Sequence, residues 1–267
     1  MIKNIVSNLL YLIPNKARYE ICRHHANKEL AENRSDFNTN GELWLLRTIL
    51  PEIKTVFDVG SHVGQWASHV LRLNQHINLH CFEPSKKTFK VIQQKGFKKN
   101  VICNNFGLGS ENTFKKLYVY GELSEGSSFY LRKGLEKIVG PELRAKTEDA
   151  EIRTLDSYCK ERDIREIDFL KIDVEGHELD VIKGGKEYFE SERIKITQFE
   201  YGGCYIDSRI LLKDFFEIFE GMNYDIFLLY PTRVCKIPRY DQRLENFQYK
   251  NFLIINNKVE QDYKFLR

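Results

Sequence analysis

One stretch, Thr55-Val56-Phe57-Asp58-Val59-Gly60-Ser61-His62-Val63-Gly64-Gln65-Trp66, limits most strongly what this chain can fold into. Val56, Phe57 and Val59 read as a short buried strand, Gly60 and Gly64 punctuate a turn, and Trp66, Val70 and Leu73 recur on one face of a following helix. A strand feeding a helix through a glycine turn opens a parallel α/β sheet, in which ligands settle at the carboxyl ends of strands. Gly60 permits a positive φ and a close approach of backbone to ligand, and Gly64 lets the helix begin near the strand. The Gly-x-x-x-Gly spacing is not the Gly-x-Gly-x-x-Gly of dinucleotide binders, which disfavours a nicotinamide enzyme. By itself this stretch leaves open a plain strand-turn-helix with packing glycines.

Asp58 places a carboxylate where a cationic or hydroxylated ligand would sit. S-adenosylmethionine (SAM) offers an ammonium, a sulfonium and a ribose there. Asn78 to Phe82 reads as the second strand, and Ser85 to Lys95 as a helix with a serine cap and a terminating Gly96. Glu83 stands between them, 19 residues beyond Gly64. An open α/β sheet puts there the acidic residue that accepts both ribose hydroxyls. Val101 to Cys103 reads as the third strand, and Asn105 beyond it faces the adenine or ribose, unless the Asn and Gly residues only build a turn.

A chain of 267 residues fits one domain with elaborations, and 42% hydrophobic with 30% charged residues is ordinary globular composition. A formal net charge of +3, without any basic tract of five or more residues, gives no phosphate track for a nucleic-acid partner. The six cysteines show no Cys-x-x-Cys spacing; reduced thiols in a cytoplasmic protein are the simplest reading, and no zinc knuckle or other metal-ligand motif is expected. The apolar run from Ile5 to Ile13 is too short to span a membrane and is closed by Pro14. As a surface helix it would pack over its own domain, touch a membrane peripherally or support dimerisation. Leu43, Leu46 and Leu50 have helical spacing up to Pro51.

The βα alternation lapses after residue 109. Lys116 to Tyr120 alternates as an exposed strand, and Gly121 to Ala150 is glycine-rich, charged and weakly periodic, as an acceptor lid would be. Alternation resumes at Ile167-Asp168-Phe169-Leu170-Lys171-Ile172-Asp173-Val174-Glu175-Gly176-His177-Glu178, a strand, a turn and a helix running through Phe189. Asp173, Glu175 and His177 are expected to converge at the crevice mouth, with Lys171 on the face of Asp173 in a buried ionic network. Lys195 to Phe199 is the next strand and ends in Glu200-Tyr201-Gly202-Gly203, an acceptor-binding candidate. Ser208 and Gly221 bracket a helix, and Tyr224 to Leu229 with Phe252 to Ile255 suggest an antiparallel edge pair.

Asp58-Val59-Gly60-Ser61-His62-Val63-Gly64, Phe82-Glu83-Pro84, Leu170 to Glu178 and Gln198 to Gly202 together resemble the FkbM family of SAM-dependent methyltransferases, in order and spacing, from about Asn40 to about Asn256. The resemblance implies an α/β, Rossmann-like class I methyltransferase fold: a seven-stranded, mostly parallel sheet with helices on both faces. The methyltransferase domain is expected over residues 40–267, with an insertion at about 110–152; residues 1–39, expected as an N-terminal helical extension, lie outside the resemblance, which says nothing about them. The resemblance also implies O-methylation of a hydroxyl on a sugar, glycan or secondary metabolite. Ser61-His62 stands where the family usually has Ala-Asn, which adds His62 as a polar group near the methyl donor.

Together, Asp58, Gly60, Ser61, His62, Gly64, Glu83, Asn105 and Asp173 form the expected cofactor set. A sulfonium methyl is already activated, so the protein must hold an acceptor oxygen in line and remove its proton. His177 is the first choice for that base; Asp173 orients it, contacts the cofactor ammonium or is itself the base, and Glu175 shares the catalytic cluster. Glu200 and Tyr201 are acceptor candidates, and Glu175 or Glu200 would alternatively hold Lys171 or a cation. A base methyltransferase would carry an Asp/Asn-Pro-Pro-Tyr/Phe motif where this chain has Asp173-Val174-Glu175-Gly176. A noncatalytic SAM-binding or assembly protein is the alternative from another functional class.

Overall fold

The computed structural model describes residues 13–121, 123, 126–133, 145–260 and 263. Helix α1 (Asn15–Glu29) buries none of its residues. Helix α2 (Glu42–Ile49) buries Leu45, Leu46 and Ile49; of the expected Leu43, Leu46 and Leu50, the last two are buried and Leu43 is half-buried, so the face is rotated from the one read before Pro51. Of the N-terminal apolar run, residues 5–12 lie outside the described residues.

Strand β1 (Thr55–Val59), helix α3 (Gln65–Leu73), strand β2 (Asn78–Phe82), helix α4 (Lys86–Gln94) and strand β3 (Val101–Asn104) follow as read from the sequence, except that Ser85, at the N-cap of α4, makes no side-chain capping hydrogen bond. Short β4 (Gly107–Leu108), β5 (Thr113–Tyr120) and β6 (Ala145–Arg153) then form a separate sheet in the order β4-β6-β5. The insertion is therefore partly a β-structure, with β5 antiparallel to β6. Its strands have no clean period because charged residues occupy the outward positions of β6. Part of the expected lid, 134–144, lies outside the described residues.

Helix α5 (Leu155–Glu161), capped where the Thr154 hydroxyl accepts from the Ser157 N–H at 3.1 Å, leads to β7 (Ile167–Ile172). The helix after β7 divides into α6 (Glu178–Gly184) and α7 (Lys186–Glu190) instead of running on. A Cβ at Gly184 would meet the Gly109 carbonyl oxygen at 2.0 Å, so the insertion sheet packs directly on this backbone. Then come β8 (Ile194–Tyr201), α8 (Cys204–Ser208), α9 (Leu212–Phe219), β9 (Tyr224–Tyr230), β10 (Arg233–Ile237), β11 (Lys250–Asn256) and α10 (Asn257–Glu260).

The main sheet has the order β10-β9-β11-β8-β7-β1-β2-β3. Strands β3, β2, β1, β7 and β8 are parallel neighbours, and β11 runs antiparallel between β8 and β9. The predicted antiparallel pairing of the last two strands is found, but in the sheet interior. The eighth strand, β10, returns from β9 as the edge. Its polar residues, with Cys235 and Lys236 exposed, hide it in the sequence. Buried side chains form a core on each sheet face, one around Phe57, Leu170, Phe199 and Phe252, the other around Leu46, Val56, Trp66, Phe169 and Leu253.

Candidate active site

Two cavities open at the carboxyl ends of β1, β2 and β7. The smaller, about 50 Å³, lies between Gly60, Glu83, Pro84, Leu108 and the insertion residues Ser128 and Phe129. The larger, about 700 Å³, is lined by Phe37, Glu42, Trp66, Lys171, Glu200 and Tyr249 among others. Gly60, His62, Asp173 and Glu175 line both, so the cavities meet at the β1 and β7 ends.

The glycine turn is built by close backbone packing. Gly60 has φ +85, and a Cβ there would lie 1.8 Å from the Asp173 carbonyl oxygen. The neighbouring strand end alone thus requires glycine here, and the positive φ expected from sequence is found at a residue that lines both cavities. Gly64, at φ +71, is the N-cap residue of α3; a Cβ there would meet the flexible Lys95 side chain at 3.3 Å. The Ser61 hydroxyl donates to the Asp58 carbonyl oxygen (2.6 Å) and accepts from the Phe82 N–H (3.0 Å), stapling β1 to β2. With the Ser61 hydroxyl directed at the carbonyl, neither buried carboxylate oxygen of Asp58 is within a well-formed hydrogen bond among the described residues, although the same hydroxyl lies close enough to pull the carboxyl pKa down. Burial pushes the Asp58 carboxyl up to about 6, against the pull of the Lys171 ammonium.

Glu83 is buried at the smaller cavity. One oxygen accepts the His62 N–H and the other the Ser85 N–H, each at 2.9 Å. Each oxygen keeps further lone pairs. Burial pushes its carboxyl up to about 8, outweighing those two hydrogen bonds. Asn105 behaves differently: its amide donates to the Glu83 carbonyl (2.9 Å) and the Pro84 carbonyl (3.2 Å), fixing the turn without lining the cavity. His62 takes the left-handed conformation (φ 47). Its Nε2 lies 3.0 Å from the Leu123 carbonyl oxygen, joining the glycine turn to the insertion.

The expected ionic network is present. Lys171 Nζ donates to Asp173 Oδ2 at 2.8 Å, and the ammonium lies 5.6 Å from the Trp66 ring centroid. Burial opposes its charge, but Asp173, Asp58 and Glu42 together hold the lysine above its ordinary pKa. Glu42 enters from α2, accepting the Trp66 indole N–H (3.0 Å) and the Asn40 amide (2.6 Å). Sequence reasoning misses it because a glutamate in a helix's first turn ordinarily signals only the helix N-terminus. Glu200 also lines the larger cavity; burial, with Asp173 and Glu175 nearby, raises its carboxyl well above the usual range.

Two expected residues are turned away. His177 is fully buried. Its Nδ1 lies 3.1 Å from Asp180 Oδ2 and 3.2 Å from the Tyr130 hydroxyl. Its Nε2 faces Gly109, where a Cβ would come within 2.9 Å. The ring lines neither cavity because Glu175 (φ 55) and Gly176 (φ 99) turn the chain beneath the insertion. Burial lowers its pKa despite Asp180. Tyr201 is fully buried too, its hydroxyl donating to Glu245 at 2.9 Å instead of reaching an acceptor.

Glu175 couples the cavities to the insertion. Its carboxylate pairs with Arg132 at 3.0 Å, its carbonyl accepts the Ser128 hydroxyl at 2.8 Å, and the Tyr130 hydroxyl donates to Asp180 at 3.0 Å. The described part of the insertion therefore walls the smaller cavity.

A carboxylate at the β2 end, a glycine turn after β1 and an antiparallel β11 inserted before β9 define an α/β, Rossmann-like methyltransferase fold. Residues 58–225 match the methyltransferase FkbM domain, more than half of the chain, and the protein belongs to that family. Hexuronic acid methyltransferase AglP of Haloferax volcanii is 27% identical over 170 residues, covering 61% of this chain and 64% of that protein. The 2-O-methyltransferase NoeI of Sinorhizobium fredii is 24% identical over 157 residues, covering 54% and 62%. Methyltransferase 1 of Beauveria bassiana is 24% identical over 147 residues, covering 50% and 59%. The chain thus spans about three fifths of the length of these relatives.

Proposed function

We propose that this chain is a SAM-dependent O-methyltransferase acting on a hydroxyl of a sugar or glycan. The carrying observation is the meeting of two cavities at Gly60, His62, Asp173 and Glu175. A donor site and an acceptor site that share a rim are what in-line group transfer requires. The similarity to a hexuronic acid methyltransferase and to a 2-O-methyltransferase supports a sugar acceptor and an oxygen nucleophile.

The residues present suit the cofactor. Glu83 retains lone pairs for ribose hydroxyls, and the buried Asp58 carboxylate supplies a negative centre below the β1 end. Bound SAM supplies an electrophilic methyl group on a sulfonium, leaving S-adenosylhomocysteine. The acceptor lies in the larger cavity, its hydroxyls bonded to Glu200 and its ring against Trp66 and Phe37. Asp173, on the shared rim, takes the hydroxyl proton, and Lys171 fixes one of its oxygens so that the other faces the acceptor. His177 supports the turn from behind.

Incubating the protein with labelled SAM and a broad glycan panel tests this reading. The expected products are a methylated glycan and an equal amount of S-adenosylhomocysteine. Cofactor binding with no transfer to any glycan would leave a SAM-binding protein, and absence of cofactor binding would remove the reading altogether.

A further inference from the structure

The larger cavity is roofed from outside the matched family domain. Ser35, Asp36, Phe37 and Asn38 line it on one side and Tyr249 on another, whereas the match covers residues 58–225. These two segments hold each other. Glu32 and Lys250 form an ion pair at 2.9 Å with both side chains almost wholly buried (7% and 4% exposed). The Asn246 amide donates to the same Glu32 oxygen at 2.7 Å. One step along the chain, the Asn33 N–H donates to the Tyr249 carbonyl oxygen at 2.8 Å. A buried ion pair with satisfied oxygens is costly to break by removing one partner, so it fixes where the following turn sits.

From that anchor the chain makes a tight turn. The Thr39 and Asn40 N–H groups both donate to the Asp36 carbonyl at 2.9 Å, and Asp36 Oδ1 accepts the Asn38 N–H at 3.1 Å. The turn sets Phe37 over His69 of α3, ring centroids 4.4 Å apart and 24° from parallel. It ends at Asn40, whose amide holds Glu42, which in turn holds the Trp66 indole on the cavity floor. Roof and floor are thus one connected device, with an aromatic ring on each.

Resting on the assignment of this cavity to the acceptor, we propose that residues 31–42 form an acceptor-selecting strap. Phe37 is its specificity-determining wall against the apolar face of a sugar ring, and the Glu32–Lys250 pair positions it. The sequence places most of the strap in a separate N-terminal extension, but Ala31 and Glu32 are buried in the domain, so the boundary falls near residue 30. Selectivity for the acceptor is carried by sequence that the family domain does not include.

The test uses the full chain and its Phe37→Ala and Glu32→Gln variants on a glycan array with labelled SAM. Calorimetry with S-adenosylhomocysteine and saturation-transfer NMR with the same sugars run beside it. Losing one aromatic contact should lower kcat/KM for Phe37→Ala about tenfold, mostly through KM, and reorder the glycan preferences. Glu32→Gln should raise KM similarly, and S-adenosylhomocysteine affinity should stay within about twofold in both. Phe37→Ala is a half-buried change that removes no ion pair, so it remains informative if Glu32→Gln does not fold. An unchanged array profile and KM, or a parallel fall in cofactor affinity, overturns the strap. If the wild type methylates no glycan yet Phe37→Ala still weakens sugar binding about tenfold, the catalytic reading fails and the strap stands. A wild type that binds no sugar overturns it.

Discussion

The Lys171 ammonium lies 2.8 Å from the Asp173 carboxylate, and Lys171 sits directly across from Asp58 in the β1–β7 register. One buried cation therefore serves two carboxylates, of which only Asp173 bonds to it directly. Lys171→Met should leave both without compensation. Removing one member of a fully buried pair costs about 3–5 kcal/mol, and because the Asp173 side chain is 34% exposed the expected loss is about 1–3 kcal/mol. Urea denaturation should show that loss, with the slope unchanged; a loss below about 1 kcal/mol would mean that water already compensates these carboxylates.

Glu83 gives the second prediction. Its carboxyl is the expected ribose acceptor, so Glu83→Ala should weaken SAM by about 1.5–3 kcal/mol above pH 8, where the group is ionised and the range for hydrogen bonds to a charged group applies. Because Glu83 also receives the His62 and Ser85 N–H groups, Glu83→Gln is the paired variant that keeps an acceptor in place. Calorimetric titration showing wild-type affinity in Glu83→Ala would remove the ribose assignment.

The same residue sets a pH dependence. Burial raises the Glu83 carboxyl from 4.5 to about 8. A carboxyl raised on folding favours the folded state below its unfolded value, and that contribution is lost as pH rises through its folded value. Asp58, pushed to about 6, acts in the same direction. His80, lowered to about 4 by burial beside Tyr158, opposes them: its contribution is lost as pH falls from 6.5. With Glu178, raised to about 7, and Glu200, raised well above its usual range, acting in the same direction as Glu83, the unfolding free energy of the cofactor-free protein should fall between about pH 6.5 and 8, and Glu83→Gln should lessen that fall. Chemical denaturation across this range checks it; parallel wild-type and variant curves would contradict it.

The insertion gives the fourth. A cavity of about 50 Å³ is far below the several hundred that an organic cofactor occupies, and Ser128 and Phe129 form its wall. Cofactor entry should therefore require the wall to move, against the Arg132–Glu175 pair and the Ser128 hydroxyl bond. Arg132→Ala should raise the SAM association rate by about threefold or more, since a conformational step slows association. Stopped-flow fluorescence measures it, and an unchanged rate would mean that the latch does not gate entry.

What the sequence reveals here follows the period of its strands. β1, β2, β7 and β8 are largely buried and each runs out into charge or glycine, while the half-buried β3 runs out into Asn104-Asn105, so their order and the crevice at their ends can be read directly. The Lys171–Asp173 pair is legible too, because a lysine in a buried parallel strand demands a carboxylate. Side-chain direction beyond a strand end is not. Two consecutive positive φ values at Glu175 and Gly176 decide where His177 points, and non-glycine residues give no advance sign of that conformation. Phe37 and Glu42 come from one short segment and Tyr249 from near the other end of the chain, and only the packed fold brings them to one cavity.

The last prediction separates two candidate bases. His177 has the titration range of a base, but its ring is enclosed by Gly109, Phe129, Tyr130 and Asp180 and reaches neither cavity. Asp173 stands where the cavities meet, with one oxygen held by Lys171. Asp173→Asn keeps the shape and removes the base, so turnover should fall about 10²- to 10⁴-fold while S-adenosylhomocysteine affinity changes little. His177→Ala should instead cost stability, about 1–3 kcal/mol, through the cavity left beneath the insertion and the loss of the Asp180 contact. Its pH–rate profile should keep the wild-type shape, because a positioning group does not exchange the acceptor's proton. Both variants are run with and without a chelator at saturating SAM. A folded His177→Ala protein that loses the acidic limb of the profile would return the base to His177. Wild-type activity silenced by chelator and restored by Mg²⁺ would place the carboxylates around a cation instead.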